Sequence, residues 1–182
     1  MYFLFLFILG MFFPLAQATT MFYLNDTQQA NLSDAVVIAH IGTAKTSPHP
    51  EYPTIMTETT IIVEEVLFGE APKTLHIRQL GGTYNGKTLY IPGDAKFETG
   101  TRVVLFLNKE NDTWFLTALE QSQYELEKKG RLGWILKKKY HEGLVYQNTK
   151  GHIVPYVPPI HKPFQSLTHL RSKLRAIERG AK

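Results

Sequence analysis

The sequence predicts a mainly β fold, an antiparallel barrel or sandwich followed by one α-helix. Short runs rich in β-branched and aliphatic residues recur along most of the 182-residue chain, and turn signals containing glycine, proline or asparagine separate them. No helical pattern lies between these runs, which argues against a βαβ protein. The last segment, in contrast, has apolar residues at helical spacing. The length suits one domain, since ~100–200 residues per domain is usual.

The N-terminal segment has features of a signal for export of the protein. Residues 1–15 contain no charged side chain, and Ala16-Gln17-Ala18 follows. An apolar run closed by a small-x-small triplet is typical of a secretory signal peptide, here residues 1–18 with cleavage after Ala18, although no Lys or Arg precedes the run. An uncleaved anchor is the alternative, but a membrane-spanning helix needs ~20 apolar residues. We therefore expect a secreted or periplasmic protein with no transmembrane span after signal cleavage.

The chain contains no cysteine. This excludes a disulfide scaffold, a thiolate zinc site, a cysteine nucleophile and a lipid-anchored cysteine. The seven histidines have no metal-ligand spacing, and no nucleotide-binding or serine-hydrolase motif is present. The sequence therefore predicts no metal and no cofactor, and only a site assembled from distant residues stays open.

Five strand-like segments follow an N-terminal lead-in at 19–33, which is extended or forms a short helix. The longest, Thr57–Phe68, is free of glycine, and such strands commonly coil or carry a β-bulge. Alternation along it predicts opposite faces for Glu64 and Glu65, which would prevent them from acting on one substrate atom. Nearly continuous apolar residues predict that Arg102–Asn108 is buried on both faces. The five segments are Ala35–Ile41, Thr57–Phe68, Thr74–Leu80, Arg102–Asn108 and Trp114–Leu119.

Further strand-like segments complete a predicted β-barrel domain at 34–154 with a hairpin extension. A Pro-rich linker at 155–163 then leads to a basic amphipathic helix at 164–180. Phe164, Leu167, Leu170, Leu174 and Ile177 form its apolar stripe. The further strand-like segments are Gln123–Glu127, Gly133–Tyr140, Leu144–Gln147 and His152–Val154.

Charge is distributed unevenly along the chain. Residues 19–127 carry 14 acidic and 7 basic side chains, whereas residues 128–182 carry 13 basic and 2 acidic ones. The basic third either binds an anionic partner, such as an envelope component, or docks on the acidic body. Nucleic acid is not expected, because the aromatic residues lack the spacing of a stacking platform. The anionic-partner patch would comprise Lys137, Lys138, Lys139, Arg171, Lys173 and Arg175.

Four segments occur in an order that resembles a group of small secreted bacterial proteins: Val63–Gly69, Leu75–Gly82, Ile91–Gly100 and Arg102–Leu107. The shared pattern is V-E-E-V-L-x-G, then P-G-x-x-x-F-x-x-G-x-x-V-V-L-F-L, and it covers about residues 34–125. Ala95 stands where a proline is common, and Thr101 where an acidic residue is common. The resemblance implies an antiparallel OB-like barrel of the netrin type, here with extra β-hairpins and a C-terminal α-helix. It implies no reaction.

The leading functional hypothesis is a non-enzymatic binding or accessory module for a protein, a glycan or an anionic envelope component. OB-like barrels bind through one sheet face and the adjoining loops, where tyrosines give contact area at small entropic cost. We therefore predict a ligand-binding rim at Arg78, Tyr84, Asn85 and Tyr90. Inhibition of a secreted protease is the alternative, although the inhibitors' N-terminal cysteine has no counterpart in Thr19-Thr20. A small hydrolase is the third possibility.

Overall fold

The computed structural model describes residues 20–138, 144–149, 152–155 and 165–180. The predicted signal peptide, nearly all of the linker, Lys139 and Phe164 lie outside these residues. The described chain is mainly β, as predicted, with a large mixed sheet and a C-terminal helix. The strands are β1 (Thr20–Phe22), β2 (Ala35–Pro48), β3 (Ile55–Gly69), β4 (Thr74–Leu80), β5 (Gly82–Tyr84), β6 (Lys87–Leu89), β7 (Arg102–Glu110), β8 (Thr113–Leu116), β9 (Gln123–Lys128), β10 (Trp134–Lys137), β11 (Leu144–Thr149), β12 (His152–Pro155) and β13 (Gln165–Ser166).

Within the described residues, two α-helices flank the strands, α1 (Asp26–Leu32) and α2 (Leu167–Gly180). A capping box starts α1: the Gln28 N–H donates to the Asn25 side chain over 3.0 Å, and the Asn25 N–H donates to the Gln28 side chain over 2.9 Å. The sequence predicts that the basic amphipathic helix begins at residue 164. In the structure α2 begins at Leu167, because Gln165 and Ser166 pair with β10. Short 3₁₀ turns occur at Leu119–Ser122 and Gly130–Leu132.

The large sheet has eight strands in the order β13-β10-β9-β7-β2-β3-β4-β8, and β8 also pairs with β7. Because β7 lies inside the sheet, between β9 and β2, this additional pairing connects the last strand of the order to an interior strand. Ile77 of β4 pairs with Trp114 of β8 in parallel, so the prediction of a wholly antiparallel sheet is wrong. These two strands are parallel because the chain passes through β5, β6 and β7 after leaving β4, and β8 then runs beside β4 in the same direction. In the small sheet, β1 is also parallel to β11, which pairs with β12.

The long strand β3 carries a β-bulge, which is one of the two irregularities expected of it from the sequence. The register between β2 and β3 shifts at three points along their length. At one of them, Ile38 is opposite Glu65 and Ala39 is opposite Val63, which leaves Glu64 as an extra residue. The bulge interrupts the alternation that predicted opposite faces for Glu64 and Glu65.

Two apolar cores lie on opposite faces of the wall formed by β2 and β7. Residues 35–39 and 103–107 all have exposures of 0%, so the prediction that Arg102–Asn108 is buried on both faces is confirmed. The first core includes Ile61, Ile77 and Trp114, and the partly buried Phe97 packs against it. The second core lies beneath the helices and includes Ala30, Phe106, Tyr124, Leu126, Leu136, Leu167, Leu170 and Leu174.

Candidate functional site

Two clefts open on either side of Asp94, and we name them by one residue each. The Ala44 cleft has a volume of about 260 Å³ and lies among β2, β3, the end of β4, the β5–β6 hairpin and residues 90–97. The Phe115 cleft has a volume of about 340 Å³ and a mostly apolar lining. The residues that line both clefts are Gln79, Leu80, Ile91 and Asp94.

Asp94 is held in place by its neighbours. Its Oδ1 accepts hydrogen bonds from the Gln79 amide over 2.9 Å and from the Ala95 N–H over 2.8 Å. Gln79 also donates to the Ala95 carbonyl over 2.9 Å, which ties the loop to β4. Burial raises the pKa of Asp94, and these two hydrogen bonds offset only part of that effect. No hydrogen bond from the described residues reaches its Oδ2, so a ligand donor could bind there.

Threonine hydroxyls form part of the Ala44 cleft. The Thr57 hydroxyl donates to the Gly81 carbonyl over 2.7 Å and lies 3.2 Å from the Thr46 hydroxyl. Gly82 has φ +119, and a Cβ at this position would lie 2.3 Å from Thr57 Oγ1. Only glycine allows the β5–β6 hairpin to approach β2 and β3 this closely.

The Phe115 cleft joins the outer face of β3 and β4 to the loop after β2. Met56 and Leu80 are opposite each other on that face, and both line the cleft. His49 contributes from the loop, and its ring lies 4.9 Å from that of the exposed Tyr52. The cleft therefore combines apolar walls with a few polar groups, which is the usual chemistry of a small-ligand site.

The four predicted rim residues lie at three places in the structure. Arg78 lines the Phe115 cleft and forms a 3.3 Å ion pair with Glu58, whereas Tyr90 lines the Ala44 cleft, where Lys96 Nζ lies 5.3 Å from its ring centroid. Tyr84 and Asn85 line neither cleft, because they lie at the tip of the β5–β6 hairpin. Two of the four residues therefore line the clefts beside Asp94, and a binding role for all four stays a prediction.

Much of the predicted anionic-partner patch faces the protein itself. Arg171 donates two hydrogen bonds to Glu65 of β3, one of them over 2.6 Å. Lys173 forms a 3.3 Å ion pair with Asp26 of α1. On the patch's outer part, Lys137 lies 3.9 Å from Glu127, and Arg175 is exposed. The C-terminal helix thus docks on the acidic body, the second of the two interpretations offered by the charge distribution.

Asp26 anchors this docked helix. Its carboxylate accepts hydrogen bonds from the Tyr124 hydroxyl over 2.5 Å and from the Gln165 amide over 2.8 Å. Burial raises the pKa of Asp26, but these hydrogen bonds and the charge of Lys173 outweigh it and hold the pKa below its ordinary value. Lys138, another patch residue, donates to the Tyr124 hydroxyl over 3.1 Å. The network joins α1, β9, β13 and α2.

A second charged cluster surrounds the bulge residue Glu64. Arg102 donates to both of its carboxylate oxygens, over 2.6 and 2.5 Å, and lies 4.3 Å from the Trp134 ring centroid. The hydrogen bonds from Arg102 lower the pKa of Glu64, and Arg171 and His40 add smaller effects in the same direction. Arg171 is the arginine that binds Glu65, so the two carboxylates share one cluster.

Sequence reasoning did not identify Asp94, Gln79, Ala44 and Phe115 as site residues. Asp94 follows Pro92-Gly93, a turn signal in which Gly93 has φ +77. A carboxylate directly after such a turn, and between two strands, was the one available signal. The other three lie on separate strands, and only the folded chain brings them together.

The sequence matches no protein-family model, and searches among curated proteins and solved structures found no match. None of the helices in the described part of the chain combines the length and hydropathy needed to cross a membrane. Within the same residues, no group of three or more His, Asp or Glu side chains is arranged to hold a metal ion.

Proposed function

We propose that the protein is a secreted or periplasmic, non-enzymatic binding module built on an OB-like barrel, with its ligand site at the two clefts beside Asp94. The single observation that carries the binding proposal is the convergence of these clefts on one partly buried carboxylate, Asp94, whose Oδ2 accepts no hydrogen bond from the described residues. The location is proposed from the apolar residues 1–15 and the triplet Ala16-Gln17-Ala18.

The strand pairings support the OB-like part of this proposal. The pairings run β2–β3–β4–β8–β7 and then from β7 back to β2, which is a circuit of five strands. An OB fold is a five-stranded, partly open Greek-key barrel whose second and third strands and adjoining loops bind ligands. In the present chain, the strands at those positions are β3 and β4, and their outer face lines the Phe115 cleft.

The chemistry of the Phe115 cleft indicates a ligand with an apolar body. Met56, Ile91 and Phe115 offer apolar contacts, while Asp94 can accept a hydrogen bond from the ligand. The cleft volume of about 340 Å³ falls at the lower end of the range for small-ligand pockets, ~300–1,000 Å³. A short apolar group with one hydrogen-bond donor fits both its size and its polarity.

Binding of a neutral apolar dye, N-phenyl-1-naphthylamine, tests the proposal. We expect its fluorescence to rise on titration with the mature chain, because the dye would leave water for the Phe115 cleft. Replacing Leu80 with asparagine should weaken binding by about fivefold, because the cleft loses apolar contact area.

Ile62→Asn is the matched control, because Leu80 and Ile62 are both 52% exposed on neighbouring strands and Ile62 lines neither cleft. Dye affinity in this variant should equal that of the parent protein. Equal affinities in all three proteins, or no binding to the parent, would contradict a ligand site in the Phe115 cleft.

A further inference from the structure

The outer half of β2 has an open backbone edge. β7 pairs with β2 only between Ala35 and His40, whereas β3 pairs with it as far as Pro48. Beyond His40, no strand among the described residues pairs with residues 43–47 on the side away from β3. Residues 43–45 are exposed. The backbone polar groups on this side therefore lack a protein ladder partner.

The ladder with β3 fixes which residues point outwards. The His49 N–H donates to the Thr54 carbonyl over 2.8 Å. Because hydrogen-bonded pairs alternate in an antiparallel ladder, Lys45 directs its backbone groups towards β3. Ala44 and Thr46 then direct theirs away from β3. This edge offers two N–H donors and two carbonyl acceptors at the spacing of a strand.

The open edge lies beside a cleft that can receive a side chain. Ala44 lines the Ala44 cleft together with Gln79 and Asp94. Residues that are opposite each other in a ladder point to the same face of the sheet. In an added strand, the residue opposite Ala44 would therefore direct its side chain into this cleft, towards the group of polar residues around Asp94.

We infer that the open edge of β2 binds an extended peptide by strand addition, with one peptide side chain in the Ala44 cleft. The inference rests on the proposed binding function and specifies its ligand class. In strand addition, main-chain hydrogen bonds supply affinity and the pockets for alternate side chains supply specificity. The free Oδ2 of Asp94 favours a peptide side chain that ends in a hydrogen-bond donor.

The charge on this edge favours a peptide over a second copy of the chain. Lys45 is exposed at the centre of residues 43–47. A two-fold antiparallel pairing of two copies centred on this edge would bring both Lys45 side chains together. Like charges directly opposite in a ladder are destabilising. Pro48 limits the edge, because proline cannot donate a ladder hydrogen bond, so a short peptide segment matches its length.

A selection from phage-displayed random linear dodecapeptides, with the mature chain as bait, tests the inference. Selected peptides are then labelled and measured by fluorescence anisotropy. Ala44→Pro removes one outward N–H, and proline is tolerated where the missing N–H faces away from the ladder. We expect this variant to bind about tenfold more weakly, whereas Ile62→Asn, which changes neither the open edge nor either cleft, should bind like the parent.

A second measurement does not depend on the fold of the variant. Each backbone nitrogen of a selected peptide is methylated in turn, and we expect affinity to fall at every second position, because alternate residues of an added strand bond to β2. A loss without this period, or no selective enrichment over the Ala44→Pro bait, would overturn the inference. So would a dimer, measured by light scattering, that Ala44→Pro dissociates. Leu80-dependent dye binding in any of these cases would leave the proposed function standing.

Discussion

Replacing Leu170 with alanine tests what holds α2 against the body. Leu170 has an exposure of 0% and belongs to the second core. Removing a buried leucine side chain to alanine costs about 2–5 kcal/mol. The ion pair between Arg171 and Glu65 is partly exposed, with side-chain exposures of 31% and 39%, and such pairs contribute up to about 1 kcal/mol. Apolar burial should therefore dominate the docking of this basic helix.

We expect Leu170→Ala to lower the free energy of unfolding by about 3 kcal/mol and Arg171→Ala by no more than about 1 kcal/mol. Arg175→Ala is the control on the same helix, because Arg175 is exposed, and it should change stability by less than about 0.5 kcal/mol. Urea unfolding followed by circular dichroism, at low and at high salt, measures all three differences.

Equal destabilisation by Arg171→Ala and Leu170→Ala would contradict this prediction. Loss of the Leu170→Ala effect at high salt would also contradict it, because screening weakens charge interactions and leaves apolar burial in place. Either result would mean that the uneven charge distribution, rather than the second core, holds the helix.

Three further predictions concern single residues. Because folding lowers the pKa of Asp26 from 3.8, its contribution to stability should be present above about pH 4 and be lost as the pH falls below it; a weaker acid dependence in Asp26→Asn, measured by thermal unfolding, checks this. Because folding raises the pKa of Asp94, ionisation of this carboxyl should cost stability as the pH rises above 3.8. The melting temperature of Asp94→Asn should therefore increase relative to that of the parent protein over the same pH range. A difference in melting temperature that does not change with pH would contradict this prediction. Gly69→Ala should lose more than about 2 kcal/mol, since Gly69 has φ +68 and its Cβ would lie 1.9 Å from the Asp34 carbonyl, whereas Gly180→Ala, with no atom within 4 Å, should fold normally in the same urea assay.

Strand positions could be predicted where burial leaves a local pattern. Thr74–Leu80 was predicted with its observed bounds, and Arg102–Asn108 was recognised because both of its faces are apolar. For residues 19–33 the sequence left open an extended segment or a short helix, because the seven residues of α1 have no apolar stripe and Gln29 is as buried as Ala30. The available signal for α1 was the capping pair, which occupies only two positions.

The candidate site could be predicted only in part, because it depends on pairings between distant segments. Arg78 and Tyr90 were predicted, and they line different clefts. Phe115 of β8 joins Arg78 of β4 in one cleft, and the parallel contact between these two strands rests on the single register pair Ile77–Trp114. A contact of one residue pair leaves no periodicity in the sequence. The Glu64 bulge likewise depends on the partner strand and not on a local pattern.

The wall shared by β2 and β7 has a consequence for how the molecule comes apart. Residues 35–39 and 103–107 direct alternate side chains into the two cores. If one core opens, both strands lose the packing on that face, and the other core is destabilised as well. Detachment of α2 would expose to water one face of β2 and β7, whose other face packs in the first core. We therefore expect truncation before residue 165 to leave an aggregation-prone remnant rather than a smaller stable domain, and the backbone amides of these two strands to be the last to acquire deuterium.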